Sequence, residues 1–169
     1  MREKILARKK QFLIGAILAV VLVLIFWFYP RPLTEQLGLE SFESTVSADL
    51  GRSNWVEQEN GSKIIEDMWM ELKAEPDDPA VQELYEVMSE IRAVRRWRLP
   101  FEKVTVYHSG YDSFSMKFSV NGKRVVLDFL ADTHTIYDTG IRNQQFHVSP
   151  DSFEKLAAVI EKYGVLVEN

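Results

Sequence analysis

The residues best suited to chemistry in this 169-residue chain are Asp132-Thr133-His134, with Asp138 four positions on and His108 and His147 as further imidazoles. Carboxylates and imidazole are hard-to-borderline ligands for a divalent ion. A strand over residues 133–137 would hold Asp132 and His134 on one side. Asp132, His134 and Asp138 are therefore the candidate metal ligands, and a metal-assisted enzyme is the activity they would serve. The plainer reading of the same residues is an Asp turn with solvent-facing polar positions, because liganding requires a convergence that spacing alone does not display.

A second group is Arg92-Ala93-Val94-Arg95-Arg96-Trp97-Arg98, four arginines in seven residues. Guanidinium forks grip carboxylates and phosphates, and an indole offers a cation–π face, so Arg92, Arg95, Arg96, Trp97 and Arg98 form the candidate binding patch. Lipid headgroups, wall polymers and a partner's carboxylates are the ligands such a patch would take. The internal alternative pairs these arginines with Glu83, Glu86, Glu90 or Glu102 while their stems cover the core. Two carboxylate pairs, Asp77-Asp78 and Asp151 with Glu154, could be read as acid and base. Their places at helix starts explain them more simply, since negative charge is favourable there.

No G-x-S-x-G, H-E-x-x-H, G-x-x-x-x-G-K-[ST] or G-x-G-x-x-G occurs. Hydrolase, zincin, P-loop and dinucleotide chemistry thus lack their local anchors, and no cofactor is indicated. The absence of cysteine removes disulfides, thiolate metal sites, a thiol nucleophile and cysteine-borne lipid.

The elements that must position these residues are legible to different degrees. Phe114, Met116, Phe118 and Val120 alternate with polar residues up to Asn121-Gly122, a pair that tolerates the positive φ of a type I′ turn. A two-residue loop sets Phe118 opposite Val125, Met116 opposite Leu127 and Phe114 opposite Phe129. This face should be core, although an apolar ligand pocket would use the same side chains. Asp78 is placed to cap a helix with Pro79 in its first turn and Val81, Leu84, Met88 and Ile91 along one stripe, ending near Arg92. Ser149-Pro150 opens another, carrying Phe153, Leu156, Ala157, Ile160 and Tyr163 and ending at Gly164. A third helix is expected after Ser62, with Ile64, Ile65, Met68 and Leu72 on one side. Strands are expected at residues 42–50, at Trp55-Val56, at 101–108, 133–137 and 144–148, with a turn at 51–54. The expected fold is α+β: an antiparallel meander of four or five strands packed with about three helices.

Ahead of this domain, residues 12–29 form 18 consecutive uncharged positions, 13 of them Leu, Ile, Val or Phe. At about 1.5 Å per residue the run reaches roughly 27 Å, close to a ~30 Å hydrocarbon core. Its length and its bulky end, Trp27-Phe28-Tyr29-Pro30, speak for an uncleaved transmembrane anchor rather than a signal peptide. Five Lys/Arg in residues 1–11 against Arg31 alone in residues 30–44 place the amino end in the cytoplasm and the domain outside it. The expected organisation is a basic cytoplasmic segment 1–11, a transmembrane helix 12–29, a spacer 30–41 and an extracytoplasmic α+β domain 42–169.

This plan resembles the small single-pass proteins of bacterial envelopes, especially Gram-positive ones; the likeness is one of organisation and implies no activity. The chain carries a net charge of −5, and residues 1–30 hold five Lys/Arg against one Glu, which leaves −9 on the remainder. Such a surface repels polyphosphate, so nucleic acid is not an expected partner. The leading expectation is a non-enzymatic binding or regulatory module, tethered to the bilayer through residues 12–29 and directed at a membrane protein or envelope component. The alternatives are the metal-assisted envelope enzyme and a structural subunit of a membrane complex, in which Gly15 and Ala19 would permit close helix contact.

Overall fold

The structure, a computed structural model, describes residues 2–58, 61–96, 112–140 and 144–167, without the side chains of residues 2–11, 54, 55, 64 and 65. It divides into two compact units, Met1–Pro30 and Arg31–Asn169. The expected strand at 101–108 lies outside the described residues.

The first unit is helix α1, Arg2–Phe28. Its large apolar side chains from Phe12 to Phe28 are 38–80% exposed. Among the described residues, no helix is long and apolar enough to cross a membrane. The helix stops at Phe28, short of Tyr29. This corrects the expected transmembrane helix and, with it, the bilayer as partner, the single-pass topology with a cytoplasmic amino end, and the likeness to single-pass envelope proteins.

The second unit is an α+β fold. Its elements in chain order are β1 Arg31–Pro32, α2 Leu33–Leu37, β2 Val46–Glu57, β3 Lys63–Ala74, α3 Pro79–Glu90, β4 Arg92–Arg95, β5 Ser113–Val120, β6 Lys123–Leu130, a 3₁₀ turn Ala131–Thr133, β7 Thr135–Asp138, β8 Gln144–His147, α4 Ser152–Tyr163 and β9 Val165–Leu166. The strands form one sheet in the order β1-β4-β8-β7-β6-β5-β2-β3-β9, with antiparallel neighbours throughout. The meander from β5 to β8 is as expected; the full sheet is wider because chain on either side of it adds strands to both flanks.

Two of the segments that widen it depart from expectation. Residues 30–41, expected as a spacer, supply β1, α2 and the buried Leu33, Leu37 and Leu39. The helix expected after Ser62 is instead β3, paired with β2 over twelve positions from Val46↔Ala74 to Glu57↔Lys63. Ile64, Ile65, Met68 and Leu72 fit a helical stripe, but Met70, Leu72 and Ala74 also fit a period of two. The ladder to β2 decides between them, because it satisfies backbone groups and sets Leu72 against Ala48 and Met70 against Leu50. Likewise β2 runs straight through the turn expected at 51–54.

Locally encoded elements fold as their residues dictate. Asn121 and Gly122 take φ of 51° and 69°, and the hairpin they close has Phe118↔Val125, Met116↔Leu127 and Phe114↔Phe129. The Asp78 carboxylate accepts from the Ala80 N–H at 2.8 Å, and Val81, Leu84 and Met88 are buried below it. Helix α4 buries Phe153, Leu156, Ala157 and Ile160, and it stops where the Gly164 N–H donates to the Ile160 carbonyl. These side chains share one core with the sheet residues Leu50, Phe114, Met116, Leu127 and Phe129. Phe129 and Phe153 meet edge to face with centroids 5.4 Å apart. The hairpin's apolar face is thus core packed under helices.

Candidate binding groove on the face opposite the helices

The residues singled out for metal binding are held by other tasks. Asp132 is exposed in the 3₁₀ turn, and His134 ends that turn with φ 48°, so neither lies within β7. Asp138 is fully buried, and its Oδ1 accepts from the Gly140 N–H at 3.0 Å. His147 places Nδ1 3.3 Å from the Thr135 hydroxyl, while His108 lies outside the described residues. Among the described residues no group of three or more His, Cys, Asp or Glu could hold a metal ion. The metal-assisted enzyme is corrected accordingly.

The helix expected to end near Arg92 does so, and the described part of the arginine run lies on and just after the strand β4. Helix α3 stops at Glu90, and alternation along β4 turns Arg92 and Arg95 to opposite faces. Arg92 is exposed; Arg95 is half-buried in register with the core residue Phe146. Arg96 donates its backbone N–H to the Gln145 carbonyl at 2.9 Å and its Nη1 to Gln145 Oε1 at 3.3 Å. Trp97, Arg98 and Glu102 lie outside the described residues. Glu83, expected to meet these arginines, instead accepts from Lys162 at 2.7 Å and from the Tyr163 hydroxyl at 2.9 Å, and these bonds hold its carboxyl below the usual range.

Of the carboxylate pairs, Asp78 is a helix cap, and Asp151 is bridged to Lys155 at 3.0 Å. Glu154 belongs to a cluster that pattern reading missed. Arg52, on β2, grips Glu154 through two parallel bonds, Nη1 to Oε1 at 3.0 Å and Nη2 to Oε2 at 2.7 Å. The same guanidinium reaches Glu161 Oε1 from Nη2 at 2.9 Å and Asp112 Oδ2 from Nη1 at 2.9 Å, and lies 5.2 Å from the Phe153 ring centroid. The bond to Glu154, followed by those to Asp112 and Glu161, raises the Arg52 pKa above its ordinary value. Asp112 also accepts the Ser53 N–H at 2.9 Å, just where the β2–β5 ladder ends at Gly51↔Ser113. One carboxylate thus satisfies the backbone donor that the departing strand leaves behind.

Beside this cluster, on the sheet face away from the helices, two rungs cross β3, β2 and β5: Trp69–Gly51–Ser113 and Glu71–Asp49–Ser115. Neighbouring strands about 4.8 Å apart make this platform roughly 10 Å wide. Gly51 is required by close approach: a Cβ there would sit 2.9 Å from both Trp69 Cζ3 and Ser113 Oγ. The indole therefore lies over the glycine and remains 39% exposed. The Trp69 carbonyl accepts the Val167 N–H at 2.8 Å, which brings Val167 alongside. The result is a groove of about 500 Å³ lined by Asp49, Trp69, Glu71, Ser113, Ser115 and Val167. Its polar lining is carboxylate and hydroxyl. Lys117 stands behind Asp49 with Nζ 3.3 Å from Oδ2.

Sequence reading missed this groove because Trp69 fell within an expected helix and Gly51 within an expected turn. The signal that was present is the alternation of Ser113 and Ser115 with the core phenylalanines. Comparison with known proteins finds no family model, no curated protein and no solved structure that matches this chain.

Proposed function

We propose that the unit Arg31–Asn169 is a non-enzymatic binding module whose ligand seats in the groove formed by β2, β3 and β5. The observation that carries this reading is the half-exposed Trp69 indole, held over Gly51 in the antiparallel sheet, with hydrogen-bonding groups on the adjoining rung. Binding sites combine apolar surface with a few fixed polar groups, and a groove of about 500 Å³ is within the size range of small-ligand sites. A site on strands is positioned more rigidly than one on loops. Within the groove, the carboxylates and hydroxyls supply specificity while the indole supplies contact area.

The reading is tested by titrating isotopically labelled full-length protein with a panel of small sugars, amino-acid amides and nucleosides and following amide and indole N–H signals. A ligand of this groove shifts the Trp69 indole together with Ser113 and Ser115, and Gly51→Val, which drives a side chain into the indole, abolishes the response. Shifts confined to other parts of the unit, or a full response in Gly51→Val, would overturn the proposal.

A further inference from the structure

The two edges of the sheet are built differently. On one side it ends with β1, two residues long and finishing in Pro32, which has no N–H to offer. On the other, β3 runs for twelve residues, but β9 pairs it only at Met70 and Glu71, and the last bond is that of the Val167 N–H to the Trp69 carbonyl. Because that carbonyl faces β9 and backbone groups alternate in side along a strand, Lys63, Ile65 and Asp67 turn their N–H and C=O groups to the same edge. Among the described residues no strand pairs β3 there. An open edge of this kind is a template for another strand.

The charges along the edge select that strand. Lys63, Ile65 and Asp67 share one face of β3 by the period of two. Lys63 and Asp67 are both exposed, and neither is in an ion pair among the described residues: Lys63 sits across the ladder from Glu57 without bridging to it, and Asp67 accepts the Ser53 hydroxyl at 2.8 Å. Four positions at about 3.3 Å each put the two roughly 13 Å apart, too far to meet within one chain. A second β3, reversed about Ile65, brings them together twice, with Lys63 opposite Asp67, Ile65 opposite Ile65 and Asp67 opposite Lys63. In all three pairs the N–H and C=O groups point at each other, so each pair exchanges two hydrogen bonds. Centring the two-fold axis on Glu66 instead sets like charges opposite, and centring it on Ile64 puts Lys63 against Ile65.

We infer that β3 is a self-association edge: two copies of this chain pair antiparallel through residues 63–67, with the two-fold axis at Ile65. The occupant is a second copy because one five-residue stretch supplies both charges in the order that self-pairing demands, which makes the interface isologous. A single strand pair buries less than the ~1,200 Å² of a standard interface, so the dimer is reversible and concentration-dependent. The pairing uses no residue that lines the Trp69 groove.

The chain has no cysteine, so single cysteines report the pairing in full-length protein. Opposed residues in a hydrogen-bonded antiparallel pair have Cα atoms about 5.5 Å apart, within disulfide range. Under mild oxidation Ile65→Cys should form a disulfide-linked dimer, and Lys63→Cys and Asp67→Cys should crosslink when mixed but not alone. Glu86→Cys, exposed on α3, sets the background of chance encounter. Adding Lys63→Glu to Ile65→Cys should slow crosslinking about tenfold, because two attractive pairs become repulsive. Adding Asp67→Lys as well, which reverses both charges, should restore the rate and show that the loss was not misfolding. Crosslinking of Ile65→Cys no faster than that of Glu86→Cys overturns the dimer. So does a rate that Lys63→Glu leaves unchanged, which marks association through another surface, or a faster crosslink at Glu66→Cys, which places the axis elsewhere. A charge-reversed double variant that melts like wild type yet stays slow overturns it too.

Discussion

Replacing Arg52 with Met keeps most of the side chain's apolar volume and removes one charge that three carboxylates share. Arg52 is only 14% exposed at its side chain, whereas Asp112, Glu154 and Glu161 are 29%, 63% and 41% exposed. Solvent therefore screens each pair, and the exposed-pair range of roughly 0.2–1 kcal/mol applies to each, with about 0.5–1 kcal/mol for the contact over Phe153. At mid-range these sum to about 2.5 kcal/mol. For a unit of this size 1 kcal/mol moves the midpoint by roughly 3–5 °C, so Arg52→Met should melt about 8–12 °C lower by circular dichroism at pH 7. The acid limb supplies an independent check. Hydrogen bonding to Arg52 holds the Glu154 carboxyl below its ordinary value. A depressed folded-state value means that the stabilisation is complete above the unfolded carboxylate range and is lost as pH falls through the folded one. The gap between wild type and Arg52→Met should therefore narrow as pH is lowered from 7 toward 3. A midpoint drop under 2 °C at pH 7, or a gap that stays constant with pH, would refute the reasoning.

Other positions make sharper local statements. Asp78→Ala removes the cap on the Ala80 N–H and should cost about 1 kcal/mol, read as a midpoint roughly 3–5 °C lower, with Asp78→Asn recovering most of it. Phe129→Ala deletes a fully packed ring against Phe153 and should cost roughly 3–5 kcal/mol. That is a large part of a typical domain's stability, and chemical denaturation should show it as a lower midpoint with an unchanged slope.

What the amino-acid order determined by itself is whatever its neighbours a few residues away could enforce. Asp78-Pro79 starts α3 because a carboxylate reaches an N–H two residues on. Asn121-Gly122 closes the β5–β6 hairpin because both residues accept positive φ, and a two-residue loop leaves one register. The buried stripes of α3 and α4 follow from spacing alone. The α+β class was legible for the same reason.

Tertiary structure decided the rest. Ile64, Ile65, Met68 and Leu72 satisfy a helical period as well as several of their neighbours satisfy a strand's, and only pairing with β2 resolves the choice. Gly51 reads as a turn until Trp69 is found across the ladder from it. Arg52 meets Glu154 and Glu161 from 102 and 109 residues away. The groove exists because register sets Trp69, Gly51 and Ser113 on one rung and Glu71, Asp49 and Ser115 on the next. Strand register is a property of pairs of segments: a one-residue slip would send every one of these side chains to the opposite face, and no single segment carries the information that forbids it.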